Sequence, residues 1–278
     1  MRSGLGRNLF DLPHTADGNL IEGWLTRFST LLGPRERPLP IILTIDAAAR
    51  EPLFQTLGTN LALEVIRDTD ATRGTAGVLR DVSRGCPDEE AVLVVTASDL
   101  GWVSNEAEAQ ALLGRNDDVV VSTDRDLRPA GPMRVRSGLL KRVPSVGFFD
   151  LKEQFLPRCH GAATFYVNRS ERRSHGSLRD LRSYLSLVSE QRPGEPDQAA
   201  TSAEPWQPGR ALVEQGAQVN RSAILFESVI LAGASVEEGA VVVRSLIGPG
   251  AVIRRGAEIV DKVIVGADGE RGNREIDW

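Results

Sequence analysis

Lysine is nearly absent from this chain. Lys141, Lys152 and Lys262 are the only three among 33 basic residues, so arginine carries almost all the positive charge. A GC-rich coding sequence accounts for that bias without any phosphate-reading role. Cysteine is equally scarce: Cys86 and Cys159 stand alone, with no Cys-x-x-Cys and no Cys/His cluster. That excludes a disulfide scaffold and a structural zinc, and it suits a reducing compartment. No apolar run approaches the roughly 18 residues a membrane span needs. The N-terminus lacks the apolar core of a signal peptide. A basic field is missing too, since the net charge is −5 and the pI about 5.4. The expectation is a soluble cytoplasmic protein that binds neither nucleic acid nor membrane.

What is present is an α/β pattern. From Asn19 to Leu32 the apolar residues Leu20, Ile21, Trp24, Leu25, Phe28, Leu31 and Leu32 recur at helical spacing. Strands are expected over Pro38–Ile45, Leu61–Ile66, Ala91–Thr96 and Asp118–Ser122, with helices near Glu51–Leu57, from Gly74, and near Glu106–Leu113. Such alternation predicts a mostly parallel sheet covered on both faces. Beyond Pro132 the pattern changes to an excursion of strands over Met133–Pro144. A helix carrying Lys152 and Glu153, a strand Thr164–Val167 and a closing helix Leu178–Leu187 follow. Gln191–Arg210, rich in Pro, Ala, Ser, Glu and Gln, reads as a linker.

From Val213 an aliphatic residue recurs about every six positions, followed by a small pair, as in Val236-Glu-Glu-Gly-Ala-Val and Ile253-Arg-Arg-Gly-Ala-Glu. This is the hexapeptide signature of a parallel β-helix, with about three coils before Gly266. A five-residue step at Val242–Leu246 reads as an occasional slip at a corner. No histidine lies beyond His175, so a histidine-dependent acyl transfer on these coils is not expected. The domains are therefore expected at 1–190, with a linker at 191–210, the coils at 211–266 and a tail at 267–278.

Two short segments carry the functional signal. Gly74-Thr75-Ala76-Gly77 is a Cβ-poor loop opening a helix, where a flat ligand approaches the backbone. Its other reading is a plain tight strand-to-helix turn. Asp99 follows the strand Ala91–Thr96 at the carboxyl end, where open α/β sheets bind ligands. Asp99 is either a metal ligand or a cap of the next turn.

These features together resemble the sugar-nucleotide pyrophosphorylases, in which a Rossmann-like nucleotidyltransferase sheet precedes a left-handed hexapeptide β-helix. The resemblance implies that Gly74, Thr75, Ala76 and Gly77 hold the base, and that Asp99 in Ala97-Ser98-Asp99 holds Mg2+. It implies that Gly147 lies near the sugar with Lys152 and Glu153, and that Arg7 in Gly4-Leu5-Gly6-Arg7 is a catalytic remnant of the triphosphate loop. The implied reaction joins an NTP to a sugar 1-phosphate, releasing pyrophosphate and an NDP-sugar. It proceeds by in-line attack at the α-phosphate, where positioning and charge neutralisation dominate. The implied assembly is a homo-oligomer built through the β-helix.

The departures point to a second reading. The family's first buried strand has only Met1–Gly6 to represent it here, so either the start is assigned late or that strand is lost. Ser177 stands where a second metal carboxylate is expected, and Asp180 is out of register. The alternative is a non-catalytic subunit that binds a nucleotide or sugar nucleotide in a regulatory or scaffolding role.

Overall fold

The computed structural model describes residues 5, 9–13, 18–33, 36, 38–47, 51–53, 60–68, 72–95, 112–123, 127, 129–169, 180–190, 211–267 and 272–277 of the 278-residue chain. The chain divides into two compact units, Trp24–Gly176 and Met1–Gly23 with Ser177–Trp278. It is a mixed α/β protein with several sheets and few helices. Among the described residues no helix is long and apolar enough to cross a membrane.

Helix α1, Leu20–Leu32, forms where the apolar spacing predicts it. Asn19 and Glu22 close its first turn reciprocally: Asn19 Oδ1 accepts from the Glu22 N–H at 3.0 Å, and Glu22 Oε2 accepts from the Asn19 N–H at 3.2 Å. This capping box satisfies donors the helix itself leaves open. At the other end Asn60 donates to the carbonyls of Ser29 and Gly33 at 2.9 and 2.8 Å.

Strands β1 (Leu39–Asp46) and β2 (Leu61–Asp68) pair in parallel, residue for residue. A second sheet holds β3 (Ala91–Val94), β4 (Val119–Thr123), β5 (Pro129–Arg136) and β6 (Phe165–Arg169) in the order β3-β5-β4-β6. The expected mostly parallel sheet is thus corrected: β4 and β6 are parallel, but β5 runs antiparallel to both its neighbours. Only five residues separate β4 from β5. A parallel crossover needs a dozen or more, so this short connection returns the chain antiparallel. The expected excursion of strands is therefore one inserted strand, followed by a short helix Ser137–Leu140. Val119, Val121, Met133 and Val135 pack on one face with Ala76, Leu140, Leu151 and Phe155, forming an apolar core on this sheet. The helix expected near Glu51–Leu57 begins irregularly at 51–53, and the rest of it lies outside the described residues, as do residues 106–111 and the linker.

Asp118 ties the starts of β4 and β6 together. Its carboxylate accepts from the Thr164 N–H and Oγ1, each at 2.9 Å, and meets Arg136 Nε at 2.6 Å. The Thr164 backbone N–H, the Thr164 hydroxyl and then the Arg136 charge hold its carboxyl below the ordinary value. A depressed folded-state pKa gives stability that is present above the unfolded value of about 3.9 and is lost as pH falls through the folded one. Urea midpoints measured from pH 6 to pH 3 should fall more steeply below about pH 4 in the wild type than in Asp118→Asn. Parallel slopes would remove Asp118 as the cause.

In the C-terminal unit, short strands line up in three parallel files. Leu212, Val229, Leu246 and Val263 pair in one, Gln218, Ser235 and Val252 in the second, and Ile224, Val241 and Glu258 in the third. Hydrogen bonds between neighbouring rungs join residues 17 apart. This run of parallel strands is compatible with a β-helix. Ile230, Val236, Val242, Ile247 and Ile253 point inward and are buried together. Gly216, Gly233 and Gly250 turn one corner with positive φ, and Gly239 and Gly256 another.

The five-residue step is not occasional; it recurs on every rung, from Leu225 to Ile230, Val242 to Ile247 and Ile259 to Ile264. The third corner is turned by Glu227, Arg244 and Asp261 with φ of 45°, 44° and 53°. The left-handed conformation tightens the turn and saves one residue. Two buried serines compensate at this corner. Ser228 Oγ accepts from the Ser245 N–H at 3.1 Å, and Ser245 Oγ accepts from the Lys262 N–H at 3.0 Å. The expected tail forms a strand, Asn273–Glu275, antiparallel to Val263–Gly266. The Asn273 side chain hydrogen-bonds both the N–H and the carbonyl of Val252, at 2.9 and 2.8 Å, closing the last rung. Near the other terminus, Leu5 is buried beside Gly248, where an added Cβ would lie 3.0 Å from its Cδ2. In the same unit Tyr184, fully buried, donates to the Pro13 carbonyl at 2.8 Å from the closing helix Leu181–Glu190.

Candidate functional site

Helix α2, Gly74–Val82, starts at the glycine-rich loop, as expected. Gly74 takes φ +69°, and a Cβ there would meet the Phe149 carbonyl oxygen at 2.6 Å and its nitrogen at 2.9 Å. The Phe149 N–H donates to the Arg73 carbonyl at 2.9 Å, and the Ala76 N–H donates to the Phe149 carbonyl at 3.0 Å. The loop therefore clasps a second backbone segment. Thr75 extends the junction: its hydroxyl donates to Asp150 Oδ2 at 3.2 Å and accepts from the Leu151 N–H at 2.9 Å. Asp150 Oδ1 in turn accepts from the N–H groups of Lys152 and Glu153 at 2.7 and 2.8 Å, capping the turn Leu151–Phe155.

Two groups of residues that are distant in sequence thus meet. Gly74, Thr75, Ala76 and Gly77 lie against the segment that carries Gly147, Lys152 and Glu153. Gly147 has φ +91°, and nothing lies within 4 Å of where a Cβ would stand. On either side of it Val146 and Phe148 are exposed, Phe148 by 60%. Lys152 Nζ reaches the Pro129 carbonyl at 3.2 Å, and Glu153 is exposed. Arg73 is held in ion pairs by Asp68 and Asp81, and the Asp68 hydrogen bond raises its pKa. Arg7 and Asp99 lie outside the described residues.

Sequence reasoning missed Asp150 and Phe149. A lone Asp before an amphipathic turn has the look of an ordinary cap, which it is, and nothing in residue types announces that Phe149 approaches through its backbone. Chemically, the junction carries a hydroxyl and a carboxylate engaged with each other and with backbone N–H groups, the Lys152 ammonium on the Pro129 carbonyl, and the exposed Phe148 ring. No family model matches this chain, and a search of curated proteins returns no match to it.

Proposed function

We propose that the protein is a nucleotidyltransferase-like protein of the sugar-nucleotide pyrophosphorylase type, with a Rossmann-like sheet domain and a left-handed β-helix. The observation that carries this reading is the clasp of Gly74–Gly77 against the Gly147–Glu153 segment. It brings the residues read as base-binding beside those read as sugar-binding. In this reading the base lies along the loop, with the exposed Phe148 ring available for stacking. Gly147, Lys152 and Glu153 face the sugar, and Arg7 the triphosphate. Asp99 would be the residue that holds Mg2+, which would supply charge neutralisation for the phosphates. Assembly through the β-helix is supported by Ile224, Phe226 and Val260, exposed on one strand file.

One observation favours the non-catalytic alternative. The Phe149 carbonyl already uses the Ala76 N–H and fills the space that Gly74 leaves open. The loop's small residues then serve packing first, and a nucleotide or sugar nucleotide bound here has regulatory or scaffolding consequences. Pyrophosphate release assayed over several NTP and sugar 1-phosphate pairs separates the two. The enzyme reading expects turnover that Asp99→Ala reduces at least a hundredfold and Phe148→Ala weakens through KM. Nucleotide binding without turnover by any pair overturns catalysis, and turnover indifferent to Asp99→Ala overturns the metal assignment.

A further inference from the structure

Helix α2 opens at the Gly74 loop, and it also holds a second loop by both ends. Pro144, Ser145, Val146, Gly147 and Phe148 are all exposed, between buried Val143 and buried Phe149. Among the described residues no hydrogen bond holds Ser145, Val146, Gly147 or Phe148, so the order of this loop depends on its ends. One end is Phe149, whose N–H donates to the Arg73 carbonyl and whose carbonyl accepts from the Ala76 N–H, at the first turn of α2. The other end is Pro144, whose carbonyl accepts from Arg80 Nη1, on the last turn of the same helix.

Arg80 is only 6% exposed, and Asp81 sets its direction. The Arg80 Nε and Nη2 both reach Asp81 Oδ1 at 2.8 Å. Asp81 Oδ2 pairs with Arg73 Nη1, on the residue whose carbonyl receives the Phe149 N–H. Gly77 leaves room for that reach, since a Cβ there would stand 2.9 Å from Arg73 Cβ. One carboxylate therefore joins the arginines at both ends of the loop. Burial disfavours the charged form of Asp81, but the Arg80 and Arg73 hydrogen bonds outweigh it and hold the carboxyl below its ordinary value. A guanidinium fork fixed on a charged partner is strongly directional. The loop it holds contributes nothing to a core: Val146 is 86% exposed and Phe148 60%. Burying an ion pair is a poor route to stability, so its use on an exposed loop points to a need for one fixed position.

We propose that Arg80 and Asp81 are positioning residues of the nucleotide site, fixing the Val146–Phe148 tip relative to the Gly74–Gly77 loop. The inference rests on the nucleotide reading above and adds to it a rigid link between the base side and the sugar side. The Phe148 ring is then in place before the base arrives. A tip ordered in advance loses less conformational freedom on binding, and that difference appears as affinity.

Two measurements test this. In the ligand-free full chain, nitrogen-15 order parameters of Val146, Gly147 and Phe148 should be about 0.8 in the wild type and below about 0.6 in Arg80→Met. Arg80→Lys should lie between, and Phe149 should not change. Binding of ATP, GTP, CTP and UTP is then followed by calorimetry. For the nucleotide that the wild type binds, Arg80→Met should weaken affinity at least tenfold and Arg80→Lys less than threefold. Added to Phe148→Ala, Arg80→Met should weaken binding by no more than a further twofold, because it acts through the tip. If Arg80→Met fails to fold, Asp81→Asn should lower the same order parameters and weaken binding at least threefold. Unchanged order parameters, or losses that multiply in the double variant, overturn the positioning role. A wild type that binds none of the four overturns the nucleotide reading, and the order parameters alone then decide whether Arg80 holds the loop.

Discussion

Gly74→Ala should lower the stability of the protein by about 2–4 kcal/mol in the absence of any nucleotide. A non-glycine residue in the left-handed region costs roughly 1–2 kcal/mol. The added Cβ would stand 2.6–2.9 Å from the Phe149 backbone, which cannot rotate away as a side chain can. Forcing such an overlap in a packed region costs typically about 1–3 kcal/mol. For a chain of this size the loss corresponds to roughly 5–15 °C in melting temperature. The contrast with Gly147→Ala is informative, since Gly147 has a positive φ but nothing within 4 Å of an added Cβ. That variant should lose only the conformational part. Urea denaturation of both variants measures the difference. Equal losses would mean that the Phe149 clasp does not form, and the loop would then be open for a ligand alone.

The second large effect is expected from Ile247→Ala, at about 2–5 kcal/mol. Ile247 is fully buried, stacked in register between Ile230 and Ile264. In a stack of repeating rungs each layer is stabilised by its immediate neighbours, so a cavity at a middle rung weakens both interfaces at once. Ile224→Thr is the matched control. It lies in the same strand array but points outward and is 56% exposed, so its change should fall within about 0.5 kcal/mol. Calorimetry or guanidinium titration of the two variants checks the pair. A small loss at Ile247 would contradict the inward orientation of that file.

The legible parts of the fold were those where one residue type has one physical outcome. Leu20, Trp24, Leu25 and Phe28 at helical spacing gave α1, and all four are buried. Aliphatic residues at a six-residue period gave the inward files at the C-terminus. What could not be read was the outcome of pairing. Val135 and Val121 have the same character, and only the short β4–β5 connection places their strands antiparallel. The regular third corner was hidden because Glu227, Arg244 and Asp261 share no residue type, although they share a backbone conformation. At the candidate site, the glycines of the Gly74 loop were visible and their neighbour was not. Phe149 meets them through peptide atoms common to every residue.

The short third corner fixes the smallest piece by which the C-terminal stack can grow or shrink. A change in length by one six-residue repeat would move every later aliphatic residue off its file and turn the buried serines away from the N–H groups they serve. Loss or duplication of a whole 17-residue rung leaves each file, each corner and the Ser228–Ser245 relay intact. Length variation in this unit is therefore quantised, and natural or designed relatives should differ by whole rungs, with the Asn273 strand carried along as the closing piece.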